Sequence, residues 1–497
     1  MTLSPSDVLT ALTQVWPHTP LPDDLPTLPS QVRIELDSRK LQEGDIFVAV
    51  PGSQRDGRDF IEPALEAGVG LILAQGTHND VQLEGRVLWL PHLSMRLGEL
   101  GRALFNVPAD LEVMAVTGTN GKSSVTHYFA ALSEALGTPA GLIGTLGVGR
   151  PGQLIDSGLT TPGPLALQAA LGQLAKQGVK RVAIEASSHA LDQHRLEAVN
   201  ITASVFTNLT RDHLDYHGSM AAYAAAKAKL FRRCELRLAV VNGDDPLARL
   251  MLAGCSTDVR VLASGQDEAV TLRVLDWQAL EQGQQAMIAT PEGEKMLSLN
   301  LMGRFNLDNV LLAMTALYGL GEPLEALFQA ASSLKPVSGR MELYRDADAP
   351  SVVVDYAHTP DALKSALQAL RAHLGDAGQL WCVFGCGGER DTGKRAEMAK
   401  AAEQLADHIV VTDDNPRHES AAQIRKQILS GFTGVVQPVE IADRREAVAA
   451  AICQASAQDV VLIAGKGHEA YQEINGVRHA YADSDEILRA FATRSNR

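Results

Sequence analysis

The chain has 497 residues, of which 45% are apolar and 21% charged, and its formal net charge is −15 at pH 7. Its length exceeds one ordinary core and predicts about two to four domains; its apolar content is that of a globular protein, and its acidic balance excludes an extended nucleic-acid surface while allowing local cationic sites for small anions. No apolar run reaches membrane-spanning length, the first residues lack the basic start and apolar core of a signal peptide, and Cys234, Cys255, Cys382, Cys386 and Cys453 show no paired spacing, so a cytoplasmic protein with reduced thiols is expected.

Residues 1 to about 30 are punctuated by proline. Residues 32–39, 45–50 and 70–74 read as strands and 60–67 as helix, which predicts a small α/β domain over 1–107. A short apolar run, 113–116, then meets Thr117-Gly118-Thr119-Asn120-Gly121-Lys122-Ser123-Ser124 and a helical segment to residue 136. Strand, glycine-rich turn and helix N-terminus together point backbone N–H groups and a favourable dipole at phosphate oxygens. Lys122 is placed to neutralise phosphate charge and Ser123 to ligate Mg²⁺. The general pattern has a glycine where this chain has Val116; the compact Gly-Thr-Asn-Gly-Lys-Ser form is narrower. Residues 182–185, 204–207 and 238–241 read as buried parallel strands, Gly303 opens a helix to residue 317, and a linker near Ser338-Gly339 closes a central domain over 108–338.

The last third, 339–497, repeats one device four times. Apolar strands at 352–354, 380–384, 409–411 and 460–463 each end in polar residues and glycines: Asp355-Tyr356-Ala357-His358, the segment 385–390, the segment 412–417, and Ala464-Gly465-Lys466-Gly467-His468-Glu469. In an open parallel sheet ligands bind at that edge. The loop 388–395 mimics a second phosphate loop, but Arg395 stands where Ser or Thr is required; Arg390, Lys394 and Arg395 make it cationic, suited to a carboxylate. Cys382 and Cys386 read as small buried residues at a strand end.

Two further constellations bear on chemistry. Glu185 at a strand tip is a natural Mg²⁺ ligand beside a phosphate loop. The polar run containing Asn208, Arg211, Asp212, His213 and Asp215 reads as a capping loop or as catalytic, with catalysis favoured by that neighbourhood. Lys227 and Lys229 lie in a strongly helical segment whose lysines read as solvated, and nothing in the segment separates them.

Together these motifs resemble the Mur ligases of bacterial peptidoglycan synthesis, over nearly the whole chain. The resemblance rests on Thr117 to Ser123, on Asn208 with Arg211-Asp212-His213 and Asp215, and on Asp355 to His358. Leu36-Asp37-Ser38-Arg39, Glu185 to His189, Gln193-His194-Arg195 and Asp414-Asn415-Pro416-Arg417 narrow it to the member adding the third residue of the peptide. It implies three α/β domains: a small UDP-sugar domain, a central parallel-sheet ATPase, and a Rossmann-like domain for the incoming amino acid. It implies ATP as co-substrate, two Mg²⁺ ions, and addition of meso-diaminopimelate to the D-glutamate γ-carboxylate of UDP-N-acetylmuramoyl-L-alanyl-D-glutamate through an acyl phosphate, with domain closure.

It also implies residue roles. Leu36, Ser38, Ser53, Gln54 and Arg55 match uridine-nucleotide contacts. Thr160, Thr161, Ser187, Gln193 and Arg195 match contacts to the muramoyl-dipeptide, with Leu159 where relatives often have Asn. Gly118, Thr119, Asn120, Gly121, Lys122, Ser123, Ser124, Asn306, Arg340, Asp355 and His358 match the ATP site. Ser123, Glu185, His213 and Lys227 match the metal set, and Lys122, Glu185, His213 and Lys227 the catalytic set, Lys227 as an N6-carboxylysine. Arg390, Asp414, Asn415, Pro416, Arg417, Gly465 and Glu469 match the diaminopimelate site, where Arg417 offers a planar fork for the distal carboxylate. The alternatives are the lysine-adding ligase, a folylpolyglutamate synthase, and an ATP-hydrolysing regulator. Small-molecule substrates are expected, with no nucleic acid, no membrane insertion, and a monomeric enzyme.

Overall fold

The computed structural model describes residues 2–52, 55–375 and 377–495. The chain forms two compact units, Met1–Met114 with Pro139–Thr202, and Ala115–Thr138 with Ala203–Arg497.

The first unit opens with the helix Pro5–Val15. Ser4 and Asp7 form a reciprocal capping box, Pro5 takes the first helical position, and Val8, Ala11, Leu12 and Val15 form its buried stripe. A five-stranded sheet follows, in the order Ile34–Glu35, Ile46–Ala49, Leu71–Gly76, Val87–Pro91, Gln82–Glu84. Its pairings are parallel except the last. All four residues of Ile46–Ala49 are buried, as expected of a strand covered on both faces. The alternation over 32–39 yields only a two-residue strand. The Asp37 carboxylate accepts from the Arg39 N–H and starts a tight 3₁₀ turn, Ser38–Lys40, which takes the backbone out of the sheet. The same unit holds Arg181–Glu185 parallel to Ala140–Gly144, and two antiparallel strands, Gly147–Arg150 and Gln153–Ile155, that the sequence reading had not marked.

In the second unit the helix Lys122–Ala135 packs against Arg304–Gly319. Ile201–Phe206, Leu238–Asn242 and Arg260–Gly265 run parallel. They continue into an unforeseen antiparallel meander, Leu272–Leu280, Gly283–Thr290 and Gly293–Leu299. A six-stranded sheet follows in the order Glu342–Tyr344, Ser351–Asp355, Val460–Ala464, Leu380–Phe384, His408–Val411, Val439–Glu440. Only Glu342–Tyr344 is antiparallel to its neighbour. The four predicted strands therefore do end on one edge.

Successive residues of these strands serve opposite faces. Val353, Leu462, Cys382 and Val411 pack with Leu367 and Met398, whereas Val352, Val461, Val383 and Val410 pack with Val448 and Ile487. Helices thus cover both faces of a doubly wound sheet, and Cys382 is core, as expected. The predicted linker is anchored: Gly339 has φ +64°, and a Cβ there would collide with the backbone of Gly467 and His468.

Beneath the sheet, Arg444 and Asp483 form a two-pronged ion pair of 2.8 and 2.9 Å with no side-chain exposure, and the Tyr481 hydroxyl donates to Asp483 at 2.7 Å. Removing one partner strands a buried charge. Asp483→Ala is expected to destabilise the protein by about 3–5 kcal/mol, whereas Arg444→Met with Asp483→Leu recovers much of the loss. Denaturant unfolding of both variants checks this.

Candidate active site

The strand Glu112–Thr117 leads into the glycine-rich turn, which the helix Lys122–Ala135 terminates. Gly121, at φ +87°, caps that helix, and a Cβ there would lie 2.5 Å from Asn309 Oδ1, so only glycine fits. The loop is held from several sides. The Asn120 N–H donates to Asn208 Oδ1 at 2.9 Å, while Asn208 Nδ2 and the Thr207 hydroxyl donate to the Asn120 carbonyl at 3.1 and 2.6 Å. Thr119 Oγ1 donates to the Thr210 carbonyl at 3.2 Å and lies 3.2 Å from the Tyr223 hydroxyl. Asn208 is thus a loop clamp, a role between the capping and catalytic readings. Lys122 Nζ folds back to the Gly118 and Thr119 carbonyls at 2.9 and 2.8 Å. Ser123 and Ser124 are buried, and Arg340 Nη2 lies 3.4 Å from Ser123 Oγ.

Lys227 reaches the same place. It is 1% exposed, its Nζ donates to Gly118 O at 2.7 Å, and it sits 4.4 Å from the centre of the Tyr223 ring, four residues earlier on the helix Met220–Ala228. Burial, and then Lys122, push its amine well below the ordinary lysine range. Lys229, half-buried, starts the following 3₁₀ turn. The structure therefore separates two lysines that the helix pattern could not. His213, at φ +52°, lies 3.4 Å from Asp212; burial lowers its pKa against the pull of that carboxylate.

At the edge of the six-stranded sheet, Asp355 accepts from the Met341 N–H at 2.9 Å, and Arg340 stacks 4.5 Å over the Tyr356 ring. Desolvation raises Asp355 to about 6 against Arg340, and desolvation followed by Lys394 lowers His358 to about 4. Lys394 donates to the His358 carbonyl at 3.0 Å. Asn306 is buried, accepting from the Tyr128 hydroxyl at 3.0 Å and donating to the Met302 carbonyl at 2.8 Å. The loop expected to offer three cations offers fewer: Arg395 is 1% exposed and bonded to Glu419, Gln427 and the Gly387 carbonyl, while Arg390 is exposed.

Next along the edge, Arg417 adopts φ +52°. Its Nη1 donates to the Gly388 carbonyl at 2.6 Å and its Nε lies 3.8 Å from Glu473. Its backbone bonds with Glu473 and Asn475 of the hairpin Tyr471–Ile474 and Val477–Ala480, an element the sequence reading missed. Asp414, Asn415 and Pro416 are buried, and Asn415 Nδ2 donates to Glu469 Oε2 at 2.7 Å. Gly465, at φ +112°, lies against the Asp414 carboxylate. Lys466, wholly buried between Asn415 and Glu469, was read only as part of a strand-end segment and given no role; a lysine one glycine beyond a fully apolar strand was the available signal.

In the first unit, Glu185 is 1% exposed and accepts from the Thr145 N–H and hydroxyl at 2.9 and 3.0 Å. Thr145, unremarked in the sequence, also lies 3.0 Å from the Thr160 hydroxyl. Thr161 bonds the Glu185 carbonyl and Ser187, and Arg195 joins the Thr161 carbonyl to Gln193. Thr160, Thr161, Ser187, Gln193 and Arg195 are thus one network, with Leu159 exposed beside it. Leu36 and Arg55 are exposed and Ser38 begins the 3₁₀ turn; Ser53 and Gln54 lie outside the described residues.

Two outcomes follow from this geometry. Lys122→Ala is expected to lower ADP release by about 10²–10³-fold while leaving circular dichroism unchanged. The second concerns acid stability. His358, lowered in the fold, contributes stability present above about 6.5 and lost as pH falls towards about 4. Asp355, raised in the fold, contributes stability present below about 3.8 and lost as pH rises through about 6. Between pH 6 and 4 the two oppose each other, so Asp355→Asn should lose thermal stability more steeply than wild type on acidification across that window. Melting temperatures across that range check this.

Family models match three stretches: residues 32–103, described as Mur ligase family, catalytic domain; 116–317, as Mur ligase middle domain; and 339–467, as Mur ligase, glutamate ligase domain. A UDP-N-acetylmuramoyl-L-alanyl-D-glutamate–2,6-diaminopimelate ligase of Pseudomonas aeruginosa is 46% identical, over 92% of this chain and 94% of that protein. A solved structure titled with the same ligase name is 38% identical, covers 93% of this chain and 95% of that one, and has a TM-score of 0.68. A folylpolyglutamate synthase of Mycobacterium tuberculosis, 20% identical over 81% of this chain and 95% of that one with a TM-score of 0.61, shares the fold. With such identity over nearly its whole length and three family models along it, the chain belongs to the Mur ligase family.

Proposed function

We propose that this chain adds meso-2,6-diaminopimelate to the D-glutamate γ-carboxylate of UDP-N-acetylmuramoyl-L-alanyl-D-glutamate, at the expense of ATP, in peptidoglycan precursor synthesis. The carrying observation is one unit that holds both the phosphate loop with its two converging lysines and, on a sheet edge, Arg417 two residues from Asn415, itself bonded to Glu469. A loop for phosphate and a pocket of mixed charge for a zwitterion are what the reaction needs. Relatives bearing that ligase's name at 42–46% identity support the same reading.

Amide formation in water is uphill, so the carboxylate is first activated. The γ-carboxylate attacks the γ-phosphorus of ATP, ADP leaves, and the amine then displaces phosphate from the acyl carbon. Lys122, the loop amides and Arg340 oppose the repulsion between the two anions and stabilise charge on the transferring group. Arg417 and Arg390 receive carboxylates of the amino acid, and Glu469 and Asp414 its distal ammonium. The Thr160–Arg195 network of the first unit receives the dipeptide, and Leu36, Ser38, Ser53, Gln54 and Arg55 the uridine nucleotide. We assign 1–107, 108–338 and 339–497 to sugar, ATP and amino acid. Buried Cys382 and Cys386 suit a reducing cytoplasm, and among the described residues no helix is long and apolar enough to cross a membrane. A monomer suffices for this assignment.

The donors proposed for two Mg²⁺ ions are Ser123, Glu185, His213 and Lys227. As an ammonium beside Lys122, Lys227 repels a metal; as a carbamate it presents the hard oxygens that Mg²⁺ takes. Its depressed basicity favours the neutral amine, whose lone pair adds to CO₂ with loss of one proton. Bound Mg²⁺ supplies positive charge at the transferring phosphoryl oxygens.

Lys227→Ala should lose ligation and regain part of it with added acetate, whereas Lys229→Ala should behave as wild type; mass spectrometry or electron density showing an unmodified ammonium at 227 in bicarbonate-saturated active enzyme contradicts the modification. Arg417→Ala should raise the KM for diaminopimelate by about two orders of magnitude, as expected when a half-buried charged partner is removed, and leave the KM for ATP unchanged. Wild-type enzyme that prefers lysine returns the assignment to the lysine-adding ligase.

A further inference from the structure

We infer that Lys466 is a positioning residue whose buried ammonium sets the Asn415 amide and the Glu469 carboxylate in the arrangement that receives the ammonium end of the incoming diamino acid. The inference rests on the amino-acid site proposed above and assigns to it a residue that does not itself meet the ligand.

Lys466 follows the all-buried strand Val460–Ala464 and has no exposed surface. Its Nζ donates to Asn415 Oδ1 at 2.9 Å and Glu469 Oε2 at 3.1 Å and lies 3.9 Å from Asp414 Oδ1, with the Tyr471 and Tyr481 rings 5.6 and 6.0 Å away. An ammonium has donors and no acceptor. It therefore dictates which end of the Asn415 amide faces it. Oδ1 turns to Lys466 and also accepts from the Glu473 N–H at 2.9 Å, which leaves Nδ2 to donate to Glu469 Oε2 at 2.7 Å. Glu469 Oε2 is thus held by two strong donors, while Oε1 accepts from the Tyr356 hydroxyl only at the long distance of 3.4 Å.

The same ammonium balances charge. Asp414 and Glu469 carry two negative charges and Lys466 one positive, which leaves a net single negative charge for one ligand ammonium. Without Lys466 the two carboxylates face each other with no cation between them, Asn415 Oδ1 keeps only the Glu473 N–H, and Glu469 Oε2 loses one of its two donors, so the carboxylate is less firmly placed.

The test is steady-state kinetics of full-length Lys466→Met with each of the three substrates varied in turn. The KM for diaminopimelate should rise about ten- to a hundredfold, as loss of a charge-assisted hydrogen bond predicts, with kcat and the KM for ATP within about threefold of wild type. K466M should add nothing to that KM in a Glu469→Gln background, because the two act as one unit. A wild-type KM for diaminopimelate in K466M overturns the inference. So do a fall in kcat alone and equal losses for all three substrates, which mark a scaffold role. Lys466→Gln, which keeps an N–H for Asn415 without the charge, gives the same readout if K466M does not fold. If neither folds, Lys466 belongs to folding and the inference is wrong. Wild-type enzyme that fails to use diaminopimelate overturns instead the functional reading beneath it.

Discussion

Two lysine side chains donate to one carbonyl oxygen, and much of the second unit is arranged around that fact. Lys122 reaches Gly118 O at 2.9 Å from the helix that follows the loop, and Lys227 reaches it at 2.7 Å from another helix. Like charges brought together away from water repel, and the repulsion falls when an anion enters or when one ammonium is lost. In the function proposed above, phosphate binding supplies the first relief and conversion of Lys227 to a carbamate the second. The loop stays in place because it is tied elsewhere, through Asn208 and Thr207 to Asn120 and through Gly121 against Asn309. The loop thereby keeps its geometry rather than relaxing by movement of the backbone.

The six-stranded sheet applies a similar principle at the edge proposed to take the amino acid. Parallel pairing brings four strand ends to one edge, and buried cations behind that edge orient what lies on it. Lys466 holds Asn415 and Glu469, and Arg444 holds Asp483 and the Ala464 carbonyl at the end of the strand before Lys466. Each of these cations is expensive to bury, and each is bonded to a carbonyl or carboxylate that offsets part of that cost. Positioning by buried charge gives the exposed groups, Arg390 among them, a rigid frame.

Periodicity and glycine placement carried a good deal of this into the sequence. Apolar runs ending in Asp355, Gly385, Thr412 and Gly465 identify strands because a doubly covered strand is apolar throughout and its chain must turn at the ligand edge. The phosphate loop was equally legible, since its glycines answer to backbone geometry. What stayed hidden depends on packing between distant segments. Lys227 and Lys229 are alike on a helix; one is buried because the Tyr223 face turns inward, the other opens a 3₁₀ turn. Asn208 becomes a clamp only when the loop lies beside it. Alternation over 32–39 promised a strand that Asp37 ended by capping its own backbone. Lys466 carried a local signal, its place after an apolar strand, but its partners Asn415 and Glu469 meet only in the fold.

The central claim is that the carboxylate of the dipeptide is activated by phosphoryl transfer before the amine attacks. It is tested most directly by labelling the D-glutamate γ-carboxylate with ¹⁸O and following the released inorganic phosphate by ³¹P NMR during turnover with ATP and diaminopimelate. Attack of a carboxylate oxygen on the γ-phosphorus leaves that oxygen on phosphate when the amide forms, so one labelled oxygen should appear in each phosphate released. Phosphate free of label, with amide formed at the normal rate, would contradict the account.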